Sequence, residues 1–279
     1  MSASPEIGLA VNAGDITTNY HDQGAGDPVL LLHGSGPGVS AWANWRLVIP
    51  RLAENFRVIA PDIVGFGFTE RPDNISYDME TWLRHALDFL DATEIEQAHV
   101  IGNSFGGSLA VALAIQAPQR VSRLVLMGSV GLEFELTEGL DLTWGYTPSI
   151  ENMRRLLDLF AYDRSLVNDE LAQLRYEASI RPGVQESYAA MFPAPRQDGI
   201  RKICSAEADV KNIEHETLII HGRDDRIIPV SVSEHLFRCI KNSQLHIFGN
   251  CGHWTQIEHN RRFNQLVTDF LLEAEQKVS

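Results

Sequence analysis

The segment Gly102-Asn103-Ser104-Phe105-Gly106, with Gly107 behind it, constrains this chain more than any other stretch. It joins a short apolar run, Ala98 to Gly102, to a helix-like series of small residues, Ser104 to Ala117, that stops before Pro118. G-x-S-x-G in that setting describes a sharp strand-to-helix turn that holds a serine hydroxyl clear of the backbone. Glycines flank such a serine because other backbone passes close by. The following helix directs its N-terminal dipole at negative charge developing beside the serine. Ser104 is therefore a candidate nucleophile; the bland alternative is a tight turn of small residues.

The rest of the chain supplies the frame such a turn needs. Pro28 to His33, Arg57 to Ala60, Val121 to Met127, Thr217 to His221 and Gln244 to Phe248 read as further strands, most of them apolar or β-branched. They alternate with amphipathic stretches such as Thr81 to Ala92, the pattern of a parallel sheet with helical crossovers. Thr255 to Ala274 reads as a closing helix. From about Gly131 to Cys204 strand runs vanish, and helix-like pieces appear at Ile150 to Tyr162 and Val167 to Ile180. This predicts a helical cap, residues 131–205, inserted into a core made of residues 1–130 and 206–279. A chain of 279 residues has room for both.

A serine hydroxyl needs a base near neutral pH. In a sheet of this kind the order along the chain is serine, acid, histidine. The acid is expected after Thr217 to His221, where Asp224 and Asp225 stand side by side. G-x-x-D with proline four residues on favours Asp225, and a solvated turn suits Asp224 better. The base is expected after Gln244 to Phe248, and His253, preceded by Gly252 and followed by Trp254, fits. His33 ends a strand before a turn and reads as structural; His221 reads as a packed core histidine. Backbone N–H groups would hold the oxyanion, one from Phe105 and one from the His33-Gly34-Ser35-Gly36-Pro37-Gly38 loop, at Ser35.

A formal net charge of -14 without a dense Lys/Arg cluster argues against a nucleic-acid partner. An anionic substrate would need a locally placed cation. Cys204, Cys239 and Cys251 are too widely spaced for a disulfide framework or a C-x-x-C pair. No His/Asp/Glu cluster has ligand spacing, so no metal is expected. The N-terminus lacks a basic stretch followed by an apolar one, and Ser108 to Ala117 is too short to span a bilayer. A cytoplasmic protein with no membrane partner is expected.

Seven segments together resemble a known family: H-G-S-G-P-G-V-S-A-W-A-N-W-R (33 to 46), A-P-D-I-V-G-F-G (60 to 67), G-N-S-F-G-G (102 to 107), T-E-G-L-D (137 to 141), R-Y-E-A-S-I-R-P-G (175 to 183), M-F-P-A-P-R-Q (191 to 197) and C-G-H-W-T-Q-I-E-H (251 to 259). They are similar to the meta-cleavage product hydrolases of bacterial aromatic degradation, above all the monocyclic branch that acts on 2-hydroxymuconate semialdehyde and short alkyl ketones. The likeness runs from about Glu6 to Phe270 and includes the cap. It implies an α/β-hydrolase fold, a mostly parallel eight-stranded sheet flanked by helices, with the cap following the sixth strand. The activity implied is cofactor-free hydrolysis of the C5–C6 bond of a small-molecule 2-hydroxy-6-oxo-2,4-dienoate. A homo-oligomer, dimer or higher, is implied as well. The competing readings are a carboxylesterase on small esters and a non-catalytic ligand-binding relative.

The resemblance also assigns pocket roles. Arg181, before Pro182, falls on the family's carboxylate-binding arginine, although by itself it would pass for a surface residue. Asn44, Asn103 and Trp254 fall on polar pocket positions. Val130, Trp144, Ile200 and Ile228 fall on the apolar sub-pocket for the carbon 6 substituent, where bulky side chains imply an aldehyde or short alkyl ketone. The chain departs from the R-Q-R-W of many relatives at Arg196-Gln197-Asp198-Gly199.

Overall fold

The computed structural model describes residues 4–273. Eight strands form one sheet: β1 (Leu9–Ala13), β2 (Ile16–Gln23), β3 (Pro28–Leu32), β4 (Arg57–Pro61), β5 (Ala98–Asn103), β6 (Val121–Met127), β7 (Thr217–Gly222) and β8 (Ser243–Phe248), in the order β1-β2-β4-β3-β5-β6-β7-β8. β3 to β8 are parallel to their neighbours, whereas β1 and β2 form an antiparallel hairpin at one edge. That hairpin adds two strands to the six read from the sequence. The closing helix expected over Thr255 to Ala274 is two helices, Thr255–Glu258 and Asn260–Leu272, and Ala274 lies outside the described residues.

The inner strands β3 to β7 are largely apolar and buried because both faces of the sheet are covered there. Successive side chains point to opposite faces, so Leu30 and Leu32 of β3 enter one apolar layer while Val29 and Leu31 enter the other. Each fully buried side chain of this kind contributes about 1.5–3 kcal/mol. The helix Phe105–Gln116, nearly all buried, packs on the central strands.

Between β6 and β7 lie the helices Glu138–Trp144, Ile150–Phe160, Asp169–Ser179, Val184–Met191 and Arg196–Ile203, followed by the short helix Glu207–Val210 that leads back to the sheet. Ser149 and Asn168 cap two of them, accepting from the N–H groups of Asn152 and Leu171. The two ends of the insertion meet where the Ser205 N–H donates to the Gly131 carbonyl at 3.0 Å. No described helix is long and apolar enough to cross a membrane.

Candidate active site

Ser104 caps the helix Phe105–Gln116 with φ 54° and ψ -114°. A left-handed backbone at a non-glycine residue costs about 1–3 kcal/mol and persists only where its surroundings impose it. Here the Ser104 N–H donates to Met127 O at 2.9 Å, while its carbonyl accepts from Val130 N–H at 3.1 Å. The flanking glycines are steric necessities: a Cβ at Gly106 would sit 2.2 Å from Leu32 O, and one at Gly102 would sit 2.4 Å from Gly106 O.

His253 follows β8 on a loop held by its own N–H, which donates to Phe160 O of the cap at 2.8 Å. Its Nδ1 donates to Asp225 Oδ2 at 2.6 Å, leaving Nε2 free to accept a proton. Asp225, after β7, has a fully buried side chain. Burial alone would push its carboxyl up, but His253 and His221 outweigh that effect and hold it well below the usual carboxylate range. Its Oδ1 accepts from the N–H groups of Ile227 and Ile228. His221 lies 3.3 Å from Oδ2, bracketed by the Ser233 hydroxyl and Ile228 O. Asp224 instead accepts from Arg223 and Cys251 N–H in a turn.

Ser104 and His253 face one cavity of about 550 Å³. The serine hydroxyl makes no direct hydrogen bond to the imidazole in the free chain, and such contacts commonly tighten only around substrate. Gly34, Ser35 and Gly36 form the opposite rim. Neither the Ser35 nor the Phe105 N–H is engaged by another described group. The loop between is fixed on both sides. The Asn44 side-chain oxygen accepts from Gly34 N–H at 3.1 Å. His33 Nε2 accepts from Ile63 N–H at 3.0 Å, so its Nδ1 donates to Gly34 O at 2.8 Å. Two cap side chains reach the same loop: Trp144 Nε1 donates to Ser35 Oγ at 3.0 Å, and the Tyr188 hydroxyl lies 2.9 Å from Ser35 O.

Asn44, Asn103 and Trp254 line the cavity, and Trp254 stacks on Phe160 with centroids 5.5 Å apart. Arg181 does not. Its guanidinium stacks on Phe68, 3.9 Å from the ring centroid, and its Nε donates to Ala178 O. Two arginines do line the cavity, Arg46 and Arg175, the latter six residues before Arg181 on the helix Asp169–Ser179. That helix ends at Ser179, so Arg181 stands just beyond it, on the turn that leads to Pro182. Arg175 donates to Gly38 O and lies 3.9 Å from Glu6, with both side chains only 12% exposed. The sequence carried the signal in R-Y-E-A-S-I-R, but periodicity cannot choose between two arginines.

The four residues assigned to the apolar sub-pocket lie in the core around the site. Val130, Trp144, Ile200 and Ile228 are all buried, and none is among the residues that line this cavity. Val130 is held by its bond to Ser104, Trp144 stacks on Phe192, and Ile228 is tied to Asp225. Leu140, Leu157, Phe160 and Ile227 face the space instead.

One ligand-type group comes together among the described residues: Glu207, His235 and Cys239, whose ligand atoms lie within 4.8 Å of one another. His235 and Cys239 are one turn apart on the helix Val230–Cys239, whereas Glu207 comes from a separate helix, so sequence spacing alone does not bring the three together. None of the three lines the cavity, and Lys211 and His235 already pair with the Glu207 carboxylate.

The family described as the alpha/beta hydrolase fold matches residues 27–260. The 2-hydroxymuconate semialdehyde hydrolase of Pseudomonas sp. strain CF600 is 62% identical over 272 residues, covering 98% of this chain and 96% of that protein. The 2-hydroxy-6-oxo-2,4-heptadienoate hydrolase of a Pseudomonas putida strain is 60% identical, covering 97% and 98%. Among solved structures, a meta-cleavage product hydrolase from Pseudomonas fluorescens IP01, a serine-to-alanine mutant complexed with acetates, superposes with a TM-score of 0.95 at 59% identity, covering 96% of this chain and 98% of the other.

Proposed function

Because the chain belongs to the α/β-hydrolase family, and within it to the meta-cleavage product hydrolases, we propose a division of labour among the side chains that face its cavity. The enzyme is a serine-type hydrolase of carbon–carbon bonds, acting on a 2-hydroxy-6-oxo-2,4-dienoate. Arg175 takes the substrate carboxylate. A guanidinium matches two carboxylate oxygens at once, and this buried one brings positive charge to an otherwise acidic chain. His253 carries a proton from the 2-hydroxyl to carbon 5, which ketonises the dienol. Ser104 Oγ then attacks carbon 6 while its proton passes to Nε2 of His253.

The negative charge that develops on the carbon 6 oxygen is met by the N–H groups of Ser35 and Phe105, each worth about 3 kcal/mol of transition-state stabilisation. The C5–C6 bond breaks with its electron pair drawn into the 2-oxo group. 2-Hydroxypenta-2,4-dienoate leaves, and water assisted by His253 releases the acyl group from Ser104 as a small acid. Asp225 keeps Nδ1 protonated throughout. The carbon 6 substituent is hydrogen or a short alkyl group. What supports this is the kind of substrate named for the relatives at 62% and 60% identity, against 30% for a 2-hydroxy-6-oxo-6-phenylhexa-2,4-dienoate hydrolase from Rhodococcus. Three free thiols, Cys204, Cys239 and Cys251, suit a reducing cytoplasm.

One observation carries this reading: Ser104, the Asp225-bound His253 and a buried Arg175 open on the same space. Stopped-flow absorbance with a yellow 2-hydroxy-6-oxo-dienoate tests it. Wild type should bleach the substrate promptly, and Ser104→Ala should cleave at least about a hundredfold more slowly. Unchanged turnover in Ser104→Ala would remove the nucleophile.

A further inference from the structure

Glu6 is the one acidic side chain among the described residues that line the cavity. It is anchored there. Its Oε2 accepts from Ser40 Oγ at 2.6 Å, and its carbonyl accepts from Asn19 Nδ2 at 3.0 Å. Asn19 is in turn held by Asp62. The Glu6 side chain is only 12% exposed, so solvent screens it weakly. Around it stand Arg175 at 3.9 Å, Arg46, which also lines the cavity, and Arg181, close enough to feel the Glu6 charge. Asp62, the other buried acid nearby, is engaged by the N–H groups of Ala41 and Phe68 and by Asn19.

At 3.9 Å Glu6 is beyond hydrogen-bond distance from Arg175. The guanidinium is oriented by Gly38 O, so Glu6 acts on it through charge and leaves its direction alone. A ligand carboxylate on Arg175 must share that cation with a carboxylate already in place and feel its repulsion. We propose that Glu6 is a resident counter-charge of the anion subsite, weakening carboxylate binding there so that carboxylate products leave readily. The inference rests on the reading of Arg175 as the substrate-carboxylate residue. At protein-like dielectric constants, repulsion between carboxylates several ångströms apart corresponds to roughly a five- to tenfold loss of affinity.

Glu6→Gln removes the charge and keeps an oxygen for Ser40. The assay compares a 2-hydroxy-6-oxo-dienoate with a neutral ester, and measures inhibition by sorbate, a simple dienoate. In Glu6→Gln the ratio of acid to ester KM should fall about five- to tenfold, with the sorbate Ki falling in step. In an Arg175→Met background the same substitution should have less than about a twofold effect. If Arg175→Met weakens the acid substrate while Glu6→Gln leaves the ratio unchanged or raises it, the counter-charge is refuted and the Arg175 reading survives. If Arg175→Met leaves the acid KM untouched, the Arg175 reading fails first and takes the Glu6 inference with it.

Discussion

The two oxygens of Asp225 serve different partners. Oδ1 holds the loop through Ile227 and Ile228 N–H, while Oδ2 holds the tautomer of His253. Asp225→Asn should keep the loop, because the amide oxygen can still accept there. It would then turn an N–H toward Nδ1 and favour the wrong tautomer. We expect kcat to fall by roughly a thousandfold or more with little change in melting temperature, measured by steady-state kinetics and a thermal melt. Serine, acid and base were all legible in the sequence, since each ends a strand in a short motif whose spacing follows from its turn. Which of two nearby arginines faces the cavity was not: Arg175 and Arg181 flank the same helix end, and only packing against Gly38 and Phe68 decides between them. Leu140, Leu157, Phe160 and Ile227, which line the cavity, were not singled out for the same reason, because burial is readable from side-chain type whereas the direction of burial is not.

At the level of elements, the nucleophile turn works only because three backbone segments pass within contact of one another. Gly106→Ala tests this directly, since its Cβ would meet Leu32 O at 2.2 Å and His33 O at 2.5 Å, neither of which can yield cheaply. The urea midpoint should show a loss of about 1–3 kcal/mol or more, with activity lost alongside. Gly36→Ala is the matched control. Nothing lies within 4 Å of its Cβ, so stability should change by less than about 0.5 kcal/mol. The parallel strands β3 to β8 were readable as apolar runs. The β1–β2 hairpin was not, because an edge pair with one exposed face carries Asn12, Thr17, Thr18, Asn19 and Asp22 among its apolar residues. The Gly14-Asp15 turn between the two strands was its one clear signal.

For the whole molecule, buried histidines set the acid side of stability. His85 accepts from Val64 N–H and reaches Thr18 through Nε2; burial chiefly, and His33 beside it, lower its pKa to about 4. The unfolded chain takes up that proton near pH 6.5 and the folded chain does not. Its contribution is therefore complete above about pH 6.5 and lost as pH falls toward 4, amounting to about 3 kcal/mol. Urea titrations from pH 7.5 to 4.5 should show this slope, and His85→Gln should flatten it. Asp225, depressed in the fold, gives way in the same direction at still lower pH.

The lid carries a further consequence. Its Trp144 and Tyr188 are bonded into the very loop that offers Ser35 N–H to the reaction, and Phe160 holds the His253 backbone. A cap stitched in this way cannot be thrown back like a hinged cover without dismantling the catalytic machinery beneath it. Substrate and products must therefore pass in and out while these bonds between cap and core stay in place.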